Sequence, residues 1–281
     1  MNGDNYSWNK LKDKKLAAAE NMLRNVERDY VSACGRFLSH EAGKDGVWAL
    51  NSNKNEIKAI IINSKSTLMP VLCGLNNIPD PKFIKSLILK KYIHSVQGLI
   101  HEADILEAAM ERNGKKPVDS YNYDLMDLDK LPVQTAKRPK GLVLRIPRLS
   151  DLDALAPLQA GYEHEEVLPK GSVFNPAASR MNLANIIAGG KILTAELNGK
   201  MVGKINVNAQ SFTRYMIGGV YVYPDFRCLG IASVMASVFI NSLVNEGMGI
   251  TLFVKKSNTA ARKLYQNLGF TIKGDYRITY Y

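Results

Sequence analysis

The sequence predicts a mixed α+β fold in which a central, mostly antiparallel, twisted sheet is flanked by helices. Strand-length apolar segments alternate with amphipathic helical segments along the whole chain. The dipeptide Asn198-Gly199 joins two of the strand segments, and this pair is a strong signal for a tight hairpin. With 281 residues, 46% of them hydrophobic and 22% charged, the chain is long enough for two domains.

The first predicted element is a long amphipathic helix that ends near Gly43. Apolar residues recur there at alternating spacings of three and four, which places them on one stripe of a helix. The stripe consists of Leu16, Ala19, Leu23, Val26, Tyr30, Ala33 and Phe37. It could close a dimer as a coiled-coil seam or pack on its own domain, and its two alanines and short length favour its own domain.

A small sheet and two helices are predicted next. The segments VWALN, EIKAIIIN and TLMPVLCG read as strands, the third with Pro70 at an irregular point. PDPKFIKSLILKKY and SVQGLIHEADILEAAMERNG read as helices, the second capped by Ser95 and stopped by Asn113-Gly114. YNYDLMDL is one more strand. The run from Asp129 to Gly141 contains two prolines and a charge cluster and predicts a linker, so we expect domains over residues 1–135 and 141–281.

The second half begins with a strand, LVLRIP, and a helix with Ser150 or Asp151 as N-cap; a further helix runs from Pro176 to Ala188. The hairpin strands KILTAEL and MVGKINVNA follow, and then RYMIGGVYVYP. The Gly218-Gly219 pair inside this last strand is costly in a regular ladder. It therefore predicts a bulge or a close approach of a ligand or another backbone.

A strand, a glycine turn and a helix then follow directly on one another. The turn reads Pro-Asp-Phe-Arg-Cys-Leu-Gly-Ile-Ala from Pro224, and the helix covers about Ile231 to Glu246. A helix N-terminus leaves several N–H groups unpaired and carries partial positive charge, so this turn can hold a pyrophosphate, with Gly230 allowing close approach. About 25 residues on, ITLFVKKSNTAARKLYQNLGF predicts a buried strand, a polar turn and a short helix.

The pattern V-x-V-x-P-x-x-R-x-x-G-x-A followed by N-x-x-A-x-x-L-Y-x-x-x-G-F resembles motifs A and B of the GNAT (GCN5-related N-acetyltransferase) superfamily. The resemblance covers residues 141–281 and implies a GNAT fold, acetyl-CoA as co-substrate and acyl transfer to a primary amine. Residues 70–110 look like the degenerate N-terminal domain of tandem GNAT proteins. That half has no motif A, so we expect it not to bind coenzyme A.

The resemblance also implies a donor site. It assigns the pantetheine arm to the main chain of Val220, Tyr221 and Val222 and to Asn258, although the two valines could equally be sheet core. It assigns the pyrophosphate to the stretch Arg227, Cys228, Leu229, Gly230, Ile231, Ala232 and Ser233. Arg227 could alternatively be a solvated surface charge.

Tyr265 is the expected general acid. It lies two helical turns after Asn258, on the same face, and its phenol stays protonated at neutral pH, so it can give a proton to the coenzyme A thiolate. The alternative is a core tyrosine.

The general base stays open, because the strand RYMIGGVYVY has no carboxylate where many relatives keep a glutamate. Glu165, Glu166, His164, Tyr221 and a relayed water are candidates, and the EHEEV run could also be a solvated helix face. A covalent role for Cys228 is disfavoured because it occupies a variable position of the loop. We therefore expect direct attack of the amine in a ternary complex.

Composition narrows the partners. The three cysteines are too few for a disulfide framework, and no spacing suggests a metal site. The net charge is +11, but the lysines are scattered, which disfavours nucleic acid. Neither a secretory signal nor a membrane span is apparent, so we expect a cytoplasmic protein.

A small amine, an antibiotic, a peptide N-terminus and a lysine all remain open as acceptors, and a homodimer remains open too. Two alternative functions are a non-catalytic acyl-CoA-binding module and a scaffold that binds protein or nucleic acid through its basic surface.

Overall fold

A computed structural model of the chain describes residues 6–39, 46–54, 56–78, 80–128 and 136–281. The chain forms two compact units, one of Met1–Leu125 with Lys273–Tyr281 and the other of Met126–Ile272. Each unit is a sheet flanked by helices, so the predicted mixed α+β class is confirmed. Among the described residues no helix is long and apolar enough to cross a membrane.

The first unit has a sheet with helices packed on it. Its elements are β1 (Ser7–Lys10), α1 (Leu16–Val26), α2 (Val31–Leu38), β2 (Gly46–Asn51), β3 (Ile57–Ser64), β4 (Thr67–Val71), α3 (Pro81–Lys90), β5 (Ser95–Leu99), α4 (Ile100–Arg112) and most of β6 (Asp119–Leu128). Strands β1 to β4 pair antiparallel in order, whereas β4 and β5 run parallel. Helices α3 and α4 pack on one core of this sheet.

Two helix predictions for this unit are wrong in their bounds. The first helix is interrupted after Val26 by a 3-10 turn, Glu27–Asp29, and its second part ends at Leu38; Gly43 lies outside the described residues. Ser95 caps no helix, because Ser95–Leu99 form β5 beside β4 and β12 and the helix begins at Ile100. In the second case, pairing on both sides of the segment overrides its local helical pattern.

The second unit repeats this order of elements. It contains β7 (Leu142–Arg145), α5 (Leu152–Tyr162), α6 (Pro176–Ala188), β8 (Ile192–Leu197), β9 (Lys200–Gln210), β10 (Arg214–Val222), α7 (Ile231–Val244), β11 (Gly249–Lys255), α8 (Thr259–Asn267) and the start of β12 (Phe270–Tyr280). Strands β7 to β10 pair antiparallel in order, and β10 pairs parallel with β11. One core joins the sheet to α7 and α8, and a second joins it to α5 and α6.

Two local predictions for the second unit are confirmed, and the predicted N-cap interaction of α5 is wrong. Asn198 and Gly199 have φ angles of 52° and 79°, as a tight hairpin turn requires. The pairing of β9 with β10 shifts register between Gly218 and Tyr221, so the predicted bulge is present. Asp151 lies at the N-cap position of α5, but its carboxylate accepts from Arg148 N and pairs with Arg145 instead of capping that helix.

The compact units do not coincide with the expected domains 1–135 and 141–281. The last strand is the reason, because Tyr276–Tyr280 pair antiparallel with Ser95–Leu99 and Tyr276 is buried. The end of the chain therefore belongs to the sheet of the first unit. The functional division of the chain stays a prediction.

Candidate functional site

The turn between β10 and α7 has the backbone that close approach of an anion needs. Gly230 precedes the helix with a φ of 77°, and a Cβ placed there would meet nothing within 4 Å. The helical hydrogen bonds begin with Val234 N to Gly230 O, and no side chain caps the helix start. The N–H groups of Ile231, Ala232 and Ser233 therefore lie in the unsatisfied first turn of a 14-residue helix. This geometry fits a bound pyrophosphate.

The strands beside this turn separate where the glycine pair lies. The parallel ladder of β10 and β11 joins Arg214–Ile217 to Gly249–Leu252, and both strands then continue, to Val222 and to Lys255. Gly219 has a φ of 60°, a conformation that favours glycine. The backbone of Val220–Val222 has one edge that faces away from β9. Because of the bulge and the end of the ladder, this edge forms no regular ladder with β11. The side chain of Val222 is buried in the core, and Val220 packs against it.

Arg227 is held by neighbours that include one candidate base. Its Nε donates to Val222 O at 3.0 Å, and its guanidinium pairs with the Glu165 carboxylate at 2.8 Å. The guanidinium also lies 5.4 Å from the centre of the Tyr221 ring, whose hydroxyl donates to Glu165 at 2.9 Å. Burial and then this carboxylate raise the pKa of Tyr221. Arg227 is about half exposed, so a phosphate could reach it from solvent by sharing or replacing Glu165.

Glu166 makes the matching contacts with the start of α8. Its Oε1 accepts from Asn258 Nδ2 at 2.9 Å, and its Oε2 lies 3.5 Å from Lys255 Nζ. Asn258 caps α8 by accepting from Ala261 N. Glu165 and Glu166 lie together in a π-helical turn, Glu163–Val167, whereas the His164 ring packs on Phe174 at 4.6 Å. The two carboxylate candidates are therefore neighbours of the predicted donor-site residues Arg227 and Asn258, which sequence reasoning could not establish.

Tyr265 points into the unit rather than into solvent. It is the buried residue of α8, and its ring packs edge-on to Phe270 at 5.8 Å. Burial raises its pKa most, and the nearby groups Tyr162 and Glu166 raise it further, so the phenol is protonated at neutral pH. A protonated phenol close to the Glu166 turn is compatible with proton donation and with the core role alike.

Sequence reasoning missed three residues that shape this site. Gly161 lets α5 approach β10, because a Cβ there would lie 2.5 Å from the Tyr221 hydroxyl. The side chains of Tyr162 and Lys204 form hydrogen bonds with the backbone of Gly219 in the bulge. A lysine between Gly203 and Ile205 in the middle of an apolar strand was the available signal. Cys228, Leu229 and Gly230, which were predicted to bind the pyrophosphate, are exposed in the loop before α7.

Comparisons with known proteins agree with this architecture. Residues 161–270 match the family model described as "Acetyltransferase (GNAT) family". No curated protein matches the chain significantly. Among solved structures, an acetyltransferase from the GNAT family of Colwellia psychrerythraea has 12% identity and a TM-score of 0.57, with 98% of this chain and 100% of that chain covered.

Two further structures match over nearly the whole chain. A GCN5-related N-acetyltransferase from Sphaerobacter thermophilus has 16% identity and a TM-score of 0.64, with 98% of this chain and 94% of that chain covered. A tandem GNAT protein from the clavulanic acid biosynthesis pathway has 11% identity and a TM-score of 0.62, with 98% of each chain covered. At these identities the likeness shows the fold.

Proposed function

We propose that this chain, a tandem-domain protein of the GNAT superfamily, is an acetyl-CoA-dependent N-acetyltransferase whose chemistry resides in the second unit. Family membership supports acyl transfer in general. The observation that carries the donor assignment is the uncapped start of α7 behind Gly230, next to the separated strands β10 and β11.

In the proposed site, Arg227 and the N–H groups of the first turn of α7 hold the pyrophosphate. The Val220–Val222 main chain and Asn258 hold the pantetheine arm, although Val222 O already accepts from Arg227. Main-chain groups alternate along a strand and Tyr221 O lies on the side of β9, so the contribution left on that edge is the main chain of Val220 and the N–H of Val222. Side chains of the two valines remain in the core while the backbone meets the ligand.

Tyr265 is the proposed general acid, which donates its proton to the sulfur that leaves when the acceptor amine attacks the thioester carbonyl. Glu165 and Glu166 are the proposed base candidates, because a carboxylate near the acceptor can take the ammonium proton directly or through water. Alignment of amine and thioester in one ternary complex supplies much of the acceleration. The acceptor remains a primary amine of a small molecule or a peptide.

Calorimetric titration of acetyl-CoA and of free coenzyme A tests the donor site. We expect binding by the wild type that is lost in Arg227→Glu and in Gly230→Trp, because the first reverses the charge and the second fills the turn. Gly247→Trp is the matched control: Gly247 also has a positive φ, of 80°, with open space around it, but follows the other end of α7. Equal binding by all four proteins would contradict the donor site.

A non-catalytic acyl-CoA-binding module is the second candidate. It is favoured by the contacts that engage both base candidates, Glu165 with Arg227 and Glu166 with Asn258. This alternative predicts the same titrations but no release of free thiol from acetyl-CoA with any member of a broad panel of amines. Thiol release that depends on an amine would contradict it.

The first unit, we propose, lacks a donor site of its own. Where β4 ends, the N–H groups of Leu72 and Cys73 donate to Glu102 Oε1 at 2.9 and 3.0 Å, and the Tyr30 hydroxyl donates to the same oxygen at 2.7 Å. Glu102 is fully buried. The protein's own carboxylate thus occupies main-chain donors at the end of a strand that precedes a helix, and the site would be closed to a phosphate.

A further inference from the structure

A lysine is buried inside the sheet of the second unit without a carboxylate hydrogen-bonded to its ammonium. Lys204, on β9, is 0% exposed and is the largest of the fully buried side chains. Its Nζ donates to Asn206 Oδ1 at 3.0 Å and to Gly219 O at 2.9 Å, and lies 4.8 Å from the centre of the Tyr162 ring. Burying an ammonium is costly, so a residue that only filled space here would be better replaced by an apolar one.

The partner of this lysine is the bulge of β10. Gly219 offers a carbonyl to Lys204, while hydrogen bonds from the Gly219 backbone and the Asn208 side chain reach the Tyr162 hydroxyl. Two side chains therefore bind the peptide groups that the register shift removes from the β9 ladder. The fit leaves no room for another residue, because a Cβ on Gly219 would lie 1.9 Å from Asn206 Oδ1 and 2.8 Å from Lys204 Nζ.

The orientation of one peptide follows from this contact. In a trans peptide the C=O and the following N–H point in opposite directions. Gly219 O is bound by the Lys204 side chain, so the N–H of Val220 points away from that side chain. Because Tyr223 N donates to Val202 O on β9 and main-chain groups alternate along a strand, the Val220 N–H also faces away from β9, toward the place where β10 and β11 are no longer joined by their ladder. There it faces the edge along which the pantetheine arm, which carries the thioester, is proposed to lie.

We propose that Lys204 is a positioning residue, which fixes the Gly219–Val220 peptide so that the Val220 N–H is presented to the carbonyl of the acyl donor. This inference rests on the proposed acetyl transfer. A donor held in place before reaction polarises the carbonyl without reorganisation, and removing such a donor costs on the order of 10²–10³ in rate. Lys204 itself stays below the sheet surface and does not contact the substrate.

The experiment compares Lys204→Met with Thr194→Val. Thr194 is equally buried and pairs with Lys204 in the β8–β9 register, but its hydroxyl donates to Arg145 O, away from the bulge. We expect Lys204→Met to lower kcat by about 10²-fold with little change in the KM for acetyl-CoA, and Thr194→Val to leave kcat unchanged. An increase in the KM for acetyl-CoA with kcat preserved would overturn the proposal, and so would an equal decrease of kcat in both variants.

A second measurement does not depend on turnover. Amide hydrogen exchange by NMR should be at least about tenfold faster at Gly219 and Val220 in Lys204→Met than in the wild type, and unchanged there in Thr194→Val. Should the wild type show no thiol release at all, the proposed function fails. Unchanged exchange at both amides would instead overturn the positioning role of Lys204, whatever the activity.

Discussion

The polar side chains of the second unit differ in their exposure to solvent. Lys204 and Tyr265 are buried, whereas the Arg227 side chain is about half exposed. An interaction inside the unit is screened less than one at the surface, so the buried groups should dominate measurable effects of pH and substitution.

The charge state of Lys204 makes stability depend on pH. Burial lowers its pKa from 10.5 to about 7, and Glu163 opposes this shift, while Tyr162 faces the ammonium as a neutral ring. Between about pH 7 and 10 the unfolded chain binds a proton that the folded chain does not. The unfolding free energy should therefore rise with pH there, by at most about 1.4 kcal/mol per unit.

Denaturant unfolding at several pH values checks this expectation. The slope with pH should be smaller in Lys204→Met than in the wild type, because methionine does not titrate. Equal slopes in the two proteins would show that Lys204 stays charged inside the sheet.

Removal of the Tyr265 hydroxyl tests proton donation. Tyr265→Phe keeps the ring that packs on Phe270, so we expect a stable protein whose kcat for acetyl transfer is about 10²-fold lower. Tyr276→Phe is the control, since Tyr276 is also a buried tyrosine with a raised pKa but belongs to the first unit. Thiol-release assays and acetyl-CoA titrations on both variants separate turnover from binding. Full activity of Tyr265→Phe would contradict proton donation and would mean that Tyr265 serves only as a core residue.

The packing of helix α5 on strand β10 depends on one close approach. In Gly161→Ala the new Cβ would lie 2.5 Å from the Tyr221 hydroxyl, so the ring or the helix must move, at a cost of about 1–3 kcal/mol. Movement of Tyr221 would also weaken its bond to Glu165.

Thermal unfolding measures this cost against a matched helix substitution. Gly189→Ala places a Cβ at an ordinary 3.5 Å from its neighbours, at the end of α6 with a φ of −69°, and should be tolerated. The midpoint should fall by several degrees in Gly161→Ala alone. Equal midpoints in the two variants would contradict the close contact seen between α5 and β10.

On the scale of the whole molecule, the end of the chain stabilises the first unit. Residues 276–280 pair with β5, and Tyr276 is buried there. A stop after Ile272 should therefore expose the edge of β5, whereas a stop after Tyr280 removes Tyr281 and keeps the strand. Hydrogen exchange followed by mass spectrometry should show lost protection over Ser95–Leu99 in the shorter protein only. Retained protection would contradict this role of the last strand.

The sequence by itself determined most of the local elements, including the turn before α7. The Asn198-Gly199 hairpin, the Gly218-Gly219 bulge and the turn before α7 could be predicted because their backbone angles depend on the residues at those positions. The apolar patterns likewise predicted the confirmed strands, and proline as a helix start signal predicted the helix from Pro176 to Ala188.

Only the tertiary structure decided which distant residues meet. The pairing of Ser95–Leu99 as a strand, the return of the last strand to the first unit, and the contacts of Glu165 with Arg227 and of Lys204 with Gly219 join positions far apart in the chain or across a sheet. Local propensity does not report such contacts, because their free energy arises from burial and hydrogen bonding between segments that meet once the chain has folded.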